Sequence, residues 1–188
     1  LGNKCCVEFR HALEENSTLV SLSLSNGITD EGATALVEAL TRNSTLKELK
    51  LEFNKITEVG ASALAEALKS SVLTKLDLCH NEIGDEGAAK LAQALEGNST
   101  LTKLGLSKSE IGVVGGAALA TMLQKNSTLK KLDLSQNSIG DKGAAELAQA
   151  LDGNSTLTKL GLSKTEIGDV RGAALATMLQ KNSTLKKL

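Results

Sequence analysis

The chain has 188 residues, of which 41% are hydrophobic and 23% are charged, and its formal net charge at pH 7 is −1. A net charge so close to zero argues against attraction of the whole protein to nucleic acid or to a membrane surface. No apolar run approaches the roughly 20 residues that a membrane-spanning helix needs. Neither nucleic acid nor membrane is therefore expected as a partner, and the absence of proline leaves no proline-rich linker that would divide the chain.

The opening segment, from Leu1 to Thr18, resembles the helical half of a repeat unit. Phe9 and Leu13 occupy the positions at which later units place their helical leucines. The segment ends in the triplet Asn16-Ser17-Thr18, which returns between later units. It is therefore predicted to be a helix that precedes the first complete unit.

Complete units follow at a nearly constant interval, and their first leucines are Leu19, Leu46, Leu73, Leu101, Leu129 and Leu157. The unit from Leu73 to Thr100 shows the pattern clearly, because Leu76 and Leu78 alternate with polar residues, as in a strand with one buried face. A turn follows at Asn81, and after Ile83 apolar residues recur about every four positions, as in an amphipathic helix. A period of roughly 20 to 50 residues is typical of a solenoid, whose units bury their apolar faces by stacking on one another.

The end of the chain starts one more unit, because residues 185–188 begin a seventh strand. We predict one elongated repeat domain over residues 1–188. Because the domain begins and ends within a unit, we expect it to be a fragment of a longer chain. Its uncapped ends would allow end-to-end self-association.

The four units that begin at Leu73, Leu101, Leu129 and Leu157 are of two alternating types, so that the repeat of this part of the sequence is a pair of units. The units that begin at Leu101 and Leu157 differ only at Ser109/Thr165, Val113/Asp169 and Gly115/Arg171. They carry glycine where the intervening units have a strand aspartate, and serine or threonine where those units have the turn asparagine: Gly105, Gly161, Ser109 and Thr165. We expect a ladder of turn asparagines to be interrupted at these two units, with a looser turn.

The spacing L-x-x-L-x-L-x-x-N-x-I, followed by a G-A-x-x-L-A-x-A-L helix, resembles the ribonuclease-inhibitor-like subclass of leucine-rich repeats. This type also occurs in NOD-like receptors and in Ran GTPase-activating protein. The resemblance covers nearly the whole chain and implies a right-handed α/β solenoid, or horseshoe, with a parallel concave sheet and convex helices. It is specific for the fold and nearly silent on function, because the same scaffold serves unrelated partners.

A protein-interaction module is the function that this resemblance favours, as the recognition or autoinhibitory part of a larger protein. Disulfide clusters, which usually cap the ends of extracellular leucine-rich repeats, are missing. Their absence favours a reducing compartment and hence a cytoplasmic location.

The open face of the sheet is where binding residues are sought, since two strand positions and two following positions of each unit project from it. From residue 73 to residue 184 these positions carry six lysines and two aspartates. This excess predicts an acidic protein partner, although the lysines could instead serve only solubility, as in a structural spacer without a specific ligand. The candidate partner-binding residues are Phe53, His80, Lys75, Lys103, Lys108, Lys131, Lys159 and Lys164.

Phe53 stands out among these candidates because other units have polar residues at its position. An exposed aromatic ring beside His80 has the composition of a binding hot spot. The alternative is that the ring folds over the turn and covers Ile56 or Ile83.

Residue types needed for catalysis or metal binding are scarce. The three cysteines, Cys5, Cys6 and Cys79, have no metal-ligand spacing, and His11 and His80 are the only histidines. The repeated Asn-Ser-Thr triplets are better interpreted as turn formers than as glycosylation sites. No catalytic residue, metal, cofactor or small-molecule substrate is therefore predicted.

Arg171 supports the enzymatic alternative, because it occupies a position that is glycine in the other complete units. An arginine finger of the kind that Ran GTPase-activating protein supplies would make the chain a GTPase activator. Drift in a duplicated unit, with Gly172 taking over the close helix contact, is the favoured interpretation.

Overall fold

The computed structural model describes residues 2–188, except for the side chains of residues 169–171. Strands and helices alternate along the chain. The strands are β1 (Ser21–Ser23), β2 (Glu48–Lys50), β3 (Lys75–Asp77), β4 (Lys103–Gly105), β5 (Lys131–Asp133) and β6 (Lys159–Gly161). The helices are α1 (Asn3–Glu15), α2 (Asp30–Arg42), α3 (Glu58–Leu68), α4 (Gly84–Glu96), α5 (Val113–Lys125), α6 (Gly140–Gly153) and α7 (Asp169–Lys181).

The six strands form one parallel sheet whose strand order follows the chain from β1 to β6. Equivalent positions of neighbouring units pair, so that the central leucines stand side by side: Leu22, Leu49, Leu76, Leu104, Leu132 and Leu160. An isolated bridge between Lys159 and Lys187 adds the start of another strand. Consecutive helices pack against each other along the sheet. The predicted α/β leucine-rich repeat solenoid is confirmed.

The inward-facing residues are almost completely removed from water in the four central units, which begin at Leu46, Leu73, Leu101 and Leu129; Leu19, Leu162 and Ile167 of the outer units are only partly buried. In one unit Leu101, Leu104, Leu106 and Ile111 are each 0% exposed. Burial of such a side chain contributes about 1.5–3 kcal/mol relative to leaving it exposed. Because each unit repeats the set, the core extends along the whole sheet.

The first turns of α2 to α6 carry glycines that lie so close to neighbouring atoms that a side chain does not fit there. A Cβ atom on Gly87 would lie 2.8 Å from Ile83 Cγ2 and 3.0 Å from the Cβ of Ala61. Gly115 is equally confined, with 3.0 Å to the Cβ of Ala88. The glycine-rich stretch at residues 112–116 is thus explained by packing, as its lack of phosphate-binding residues suggests.

A ladder of buried asparagines connects the turns of successive units. The Asn81 amide donates to the carbonyl oxygens of Leu51 (2.8 Å) and Leu78 (2.9 Å), and its Oδ1 accepts from the backbone N–H of Ile56 (3.0 Å). Two other turn asparagines make the same contacts: Asn54 and Asn137. Each amide therefore joins its own strand to the preceding unit.

The turns at Ser109 and Thr165 are not open, which corrects the expectation that they are looser. The Ser109 hydroxyl donates to the carbonyl oxygen of Leu78 at 3.2 Å, and the Ser109 N–H donates to Asn137 Oδ1 at 3.0 Å. The Thr165 hydroxyl donates to the carbonyl oxygen of Leu162 at 2.6 Å. Both side chains are at most 2% exposed. A hydroxyl therefore occupies the buried place of the missing amide.

A second asparagine ladder lies where each helix returns to the next strand. The Asn126 amide donates to the carbonyl oxygens of Leu95 (2.7 Å) and Asn98 (3.1 Å). Its Oδ1 accepts from the backbone N–H groups of Thr128 (2.9 Å) and Leu129 (2.7 Å). These contacts support the interpretation of the Asn-Ser-Thr triplets as turn formers.

Aspartates in the first turn of alternate helices cap the helix that follows. Asp85 Oδ1 accepts from the backbone N–H groups of Gly112 (2.7 Å) and Gly115 (2.8 Å), which begin α5. Free N–H groups at a helix start need such acceptors, and a negative charge there is favourable. Two equivalent residues act in the same way: Asp30 and Asp141.

The second ladder predicts a difference between two small substitutions. Asn126→Ala should lower the free energy of unfolding by about 2–3 kcal/mol, because it leaves buried backbone groups without partners. Ser71 stands at the equivalent place after α3, where its buried hydroxyl has no hydrogen-bond partner. Ser71→Ala should therefore leave stability unchanged or slightly higher. Urea unfolding of both variants measures this, and equal losses would contradict the importance of the ladder.

Candidate functional site

The parallel sheet aligns five lysines into one row across its open face. Direct pairing of neighbouring strands places their first residues side by side, and the bridge at Lys187 continues the row: Lys75, Lys103, Lys131, Lys159 and Lys187. We call this set the lysine column. Its members are about 4.8 Å apart at the backbone. The predicted column is thus present as a geometric feature, and its role in binding stays a prediction.

Carboxylates of the same face neutralise the first part of the column. Glu48 forms ion pairs with Lys50 and Lys75, each at 3.3 Å, and Asp77 Oδ2 accepts from Lys103 Nζ at 3.2 Å. The hydrogen bond from Lys50, assisted by Lys75 and opposed by burial, lowers the pKa of Glu48. Burial disfavours the charged form of Lys103, yet the hydrogen bond and charge of Asp77 outweigh it and raise the pKa of Lys103.

The alternation of aspartate and glycine on the strands has a steric cause. The Asp77 carboxylate leans over Gly105 on the next strand, so that a Cβ there would overlap it. Its Oδ1 also accepts from the backbone N–H of Cys79 at 3.2 Å. Asp133 and Gly161 repeat this arrangement. A side chain at Gly105 or Gly161 would therefore displace the aspartate carboxylate of the preceding strand from this position.

Cys79 lies half-buried beside this aspartate and is not an exposed reactive thiol. Its Sγ accepts from the backbone N–H of Ser107 at 3.3 Å. Burial and the neighbouring charge of Asp77 raise the pKa of the Cys79 thiol well above its ordinary value. The thiol form therefore dominates at neutral pH.

Phe53 and His80 form a stacked pair on the rim of the open face. Their ring centroids are 4.1 Å apart with an angle of 24° between the planes. Phe53 is 52% exposed, while Ile56 and Ile83 are fully buried. The ring therefore packs on His80 and remains open to solvent. This arrangement fits the hypothesis of an exposed aromatic ring and not that of a ring that covers Ile56 or Ile83.

Both rings stand on left-handed backbone, a feature that the sequence analysis did not anticipate. Six residues at this position have φ between 51° and 67°, and we call them the turn column: Asn26, Phe53, His80, Lys108, Gln136 and Lys164. Side chains other than asparagine and glycine rarely adopt this conformation. Lys108 and Lys164 therefore lie on the rim with the two rings, separate from the lysine column on the strands.

Other kinds of site find little support in the described part of the chain. There, no group of three or more histidine, cysteine, aspartate or glutamate side chains is arranged to hold a metal ion. None of the described helices combines the length and apolar content that crossing a membrane requires.

The side chain of Arg171 lies outside the described residues, so the GTPase-activator hypothesis stays a prediction. In the other units the equivalent glycines are confined, since a Cβ would lie within 2.8 Å of a neighbouring atom: Gly32, Gly60, Gly87, Gly115 and Gly143. A single-turnover GTPase assay with and without Arg171→Ala tests the hypothesis. No acceleration by the intact chain would reject it.

The parallel sheet, the flanking helices and the two ladders define a leucine-rich repeat protein. The family described as "TMOD/LMOD Leucine-rich domain" matches residues 3–112, and the general "Leucine Rich repeat" family matches residues 125–148 and 153–176. The chain belongs to the TMOD/LMOD leucine-rich domain family. No curated protein matches the sequence.

Solved structures with the same fold come from different proteins. "Leiomodin-1 Actin-Binding Site 2 (ABS2)" has a TM-score of 0.61 and 23% identity, over 93% of this chain and 87% of that chain. The tropomodulin C-terminal domain of Caenorhabditis elegans has a TM-score of 0.58 and 17% identity, over 97% of this chain and 93% of that chain. An internalin of Listeria monocytogenes has a TM-score of 0.53 and 22% identity, over 93% of this chain and 48% of that chain. At these identities the likeness shows the fold.

The ion pairs of Glu48 predict a measurable dependence on pH. Its folded-state pKa lies below the ordinary value, so its contribution to stability is present above the unfolded-state pKa and is lost as pH falls through the folded-state value. Lys50→Ala should raise the Glu48 pKa and reduce this acid-dependent loss. NMR titration of the carboxyl group measures the shift. Lys125→Ala, which removes a pairing with Glu96 instead, is the control and should leave Glu48 unchanged.

Proposed function

We propose that this chain is a protein-interaction module, without enzymatic activity of its own, that binds an acidic surface of a protein partner on its concave face. The lysine column is the observation that carries this proposal. Charges about 4.8 Å apart repel each other by about 0.9 kcal/mol even in the dielectric of water, although salt weakens this. Glu48 and Asp77 offset this repulsion at Lys75 and Lys103, and carboxylates of a partner would offset it in the rest of the column.

Actin is the partner that we propose to test first. The family match covers residues 3–112, and the leiomodin-1 structure with the same fold is titled an actin-binding site. A cytoplasmic location belongs to the same proposal. All three cysteines are free, a state that a reducing compartment preserves.

Phe53 and His80 are proposed as the anchor at the rim of this interface. Aromatic rings that are exposed in the free protein and become covered on binding often carry a large share of the binding energy. The stacking on His80 holds the Phe53 ring in one orientation, which reduces the entropy that binding would cost.

Reversal of charge on the lysine column tests the proposal. The variant Lys103→Glu/Lys131→Glu/Lys159→Glu should weaken actin binding by at least about tenfold and reduce its dependence on ionic strength, since the attraction becomes repulsion. The control Lys69→Glu/Lys125→Glu/Lys181→Glu makes the same change of charge at the ends of three helices. Co-sedimentation with actin at two salt concentrations measures both. Unchanged binding and salt dependence in the first variant would leave the column with a role in solubility alone.

Removal of the rim anchor gives a separate prediction. Phe53→Ala should weaken binding by about 2 kcal/mol, or ~30-fold, without lowering the melting temperature, because the ring lies outside the core. Val59→Ala removes another exposed apolar side chain, on α3, and should change neither quantity. A loss of stability in Phe53→Ala with unchanged binding would show that the ring supports the turn instead.

A further inference from the structure

The charge on the concave face is unevenly compensated along the sheet. We infer that an acidic segment of the partner docks over β5 and β6, at the end of the lysine column that this chain leaves unneutralised, and not over β2 to β4. This inference rests on the proposed function and assigns the contact to one half of the face.

The half of the face over β2 to β4 is balanced by its own side chains. It carries three lysines, Lys50, Lys75 and Lys103, and three carboxylates, on Glu48, Glu52 and Asp77. All three lysines form ion pairs at 3.2–3.3 Å with Glu48 or Asp77. An incoming carboxylate would have to replace these partners, so the net binding free energy that it gains there is small.

The half over β5 and β6 holds three lysines, Lys131, Lys159 and Lys187, with one carboxylate, on Asp133. Within the described part of the chain, none of these three lysines forms an ion pair. Asp133 instead accepts from the backbone N–H of Ser135 at 3.1 Å and leans over Gly161. Asp77 has the same position over β4 and pairs with Lys103, whereas Asp133 forms no such pair with Lys159 in the described part of the chain, so the lysines remain available for another anion.

Other polar groups that could bind an anion stand beside these lysines. Lys159, Lys187, Ser135 and Ser163 form part of the lining of a cavity of about 470 Å³, and the rest of that lining is mainly apolar: Leu160, Leu162, Ile167, Leu175 and Leu188. Two serine hydroxyls can donate hydrogen bonds beside the two ammonium groups. These ammonium and hydroxyl groups, and not the apolar part of the cavity, are the groups that would contact glutamate or aspartate residues of a partner.

The test compares two double variants with equal changes of net charge. The probe is a fluorescein-labelled hexaglutamate peptide, measured by fluorescence anisotropy near 0.1 M ionic strength, where screening acts over about 10 Å. Lys131→Ala/Lys159→Ala should weaken peptide binding at least about tenfold. Lys50→Ala/Lys75→Ala, at the compensated end, should change it less than about threefold.

Each outcome decides for or against the inference. The inference would be overturned by an equal loss of peptide affinity in the two variants or by a larger loss in Lys50→Ala/Lys75→Ala. It would also be overturned if the unmodified chain did not bind the peptide. The same variants are then measured with actin. If the peptide distinguishes the variants and actin does not bind at all, the acidic site stands and the proposed partner fails. If actin binds and is weakened equally by both variants, the proposed function stands and the location over β5 and β6 is wrong.

Discussion

The side-chain amides that join each unit to the one before are the constraint on which the rest of the structure depends. Asn81 and Asn126 each donate to a carbonyl group of the preceding unit. Asn81 also accepts from the N–H of Ile56 in that unit, and Asn126 accepts from the N–H of Leu129, which begins the next strand segment. The turns before and after a helix are therefore both tied to a neighbour. A shift of one unit against the next would leave these buried groups without partners, which costs far more than the lost contact itself. The register of the sheet, and with it the lysine column, follows from these ties.

The two unit types are also explained by contacts between neighbours. Asp85 on α4 caps the start of α5, and Asp77 on β3 occupies the space above Gly105 on β4. At the next junction Val113 stands where Asp85 stood, so α5 offers no such cap to α6. Successive junctions therefore differ in chemistry, and a unit of one type fits best against a unit of the other. From Leu73 onward the sequence repeats as this matched pair of units.

Periodicity in the sequence was sufficient to predict the strands, the helices, the inward leucines and the alignment of the lysines. These features depend only on the period of two in strands and the near-period of four in helices. The neutralisation of Lys75 by Glu48 was not predicted, nor was the reach of Asp85 into the next helix. Such contacts depend on how far a side chain extends across a junction, and on which of several nearby groups it meets. The left-handed turn column was missed because its residue types include phenylalanine and lysine, which give no signal for that conformation.

Core and open face occupy alternate positions of the same short strands, so each can change without the other. Leu132 is buried between Lys131 and Asp133, which lie on the open face. A substitution at either flanking position alters the charge of the face and leaves the ladders and the apolar core intact. The stacking of nearly identical units therefore fixes where side chains project but not which charges they carry. The uneven compensation of the lysines along one continuous sheet shows that the two ends of the face, built on the same scaffold, have acquired different electrostatic properties.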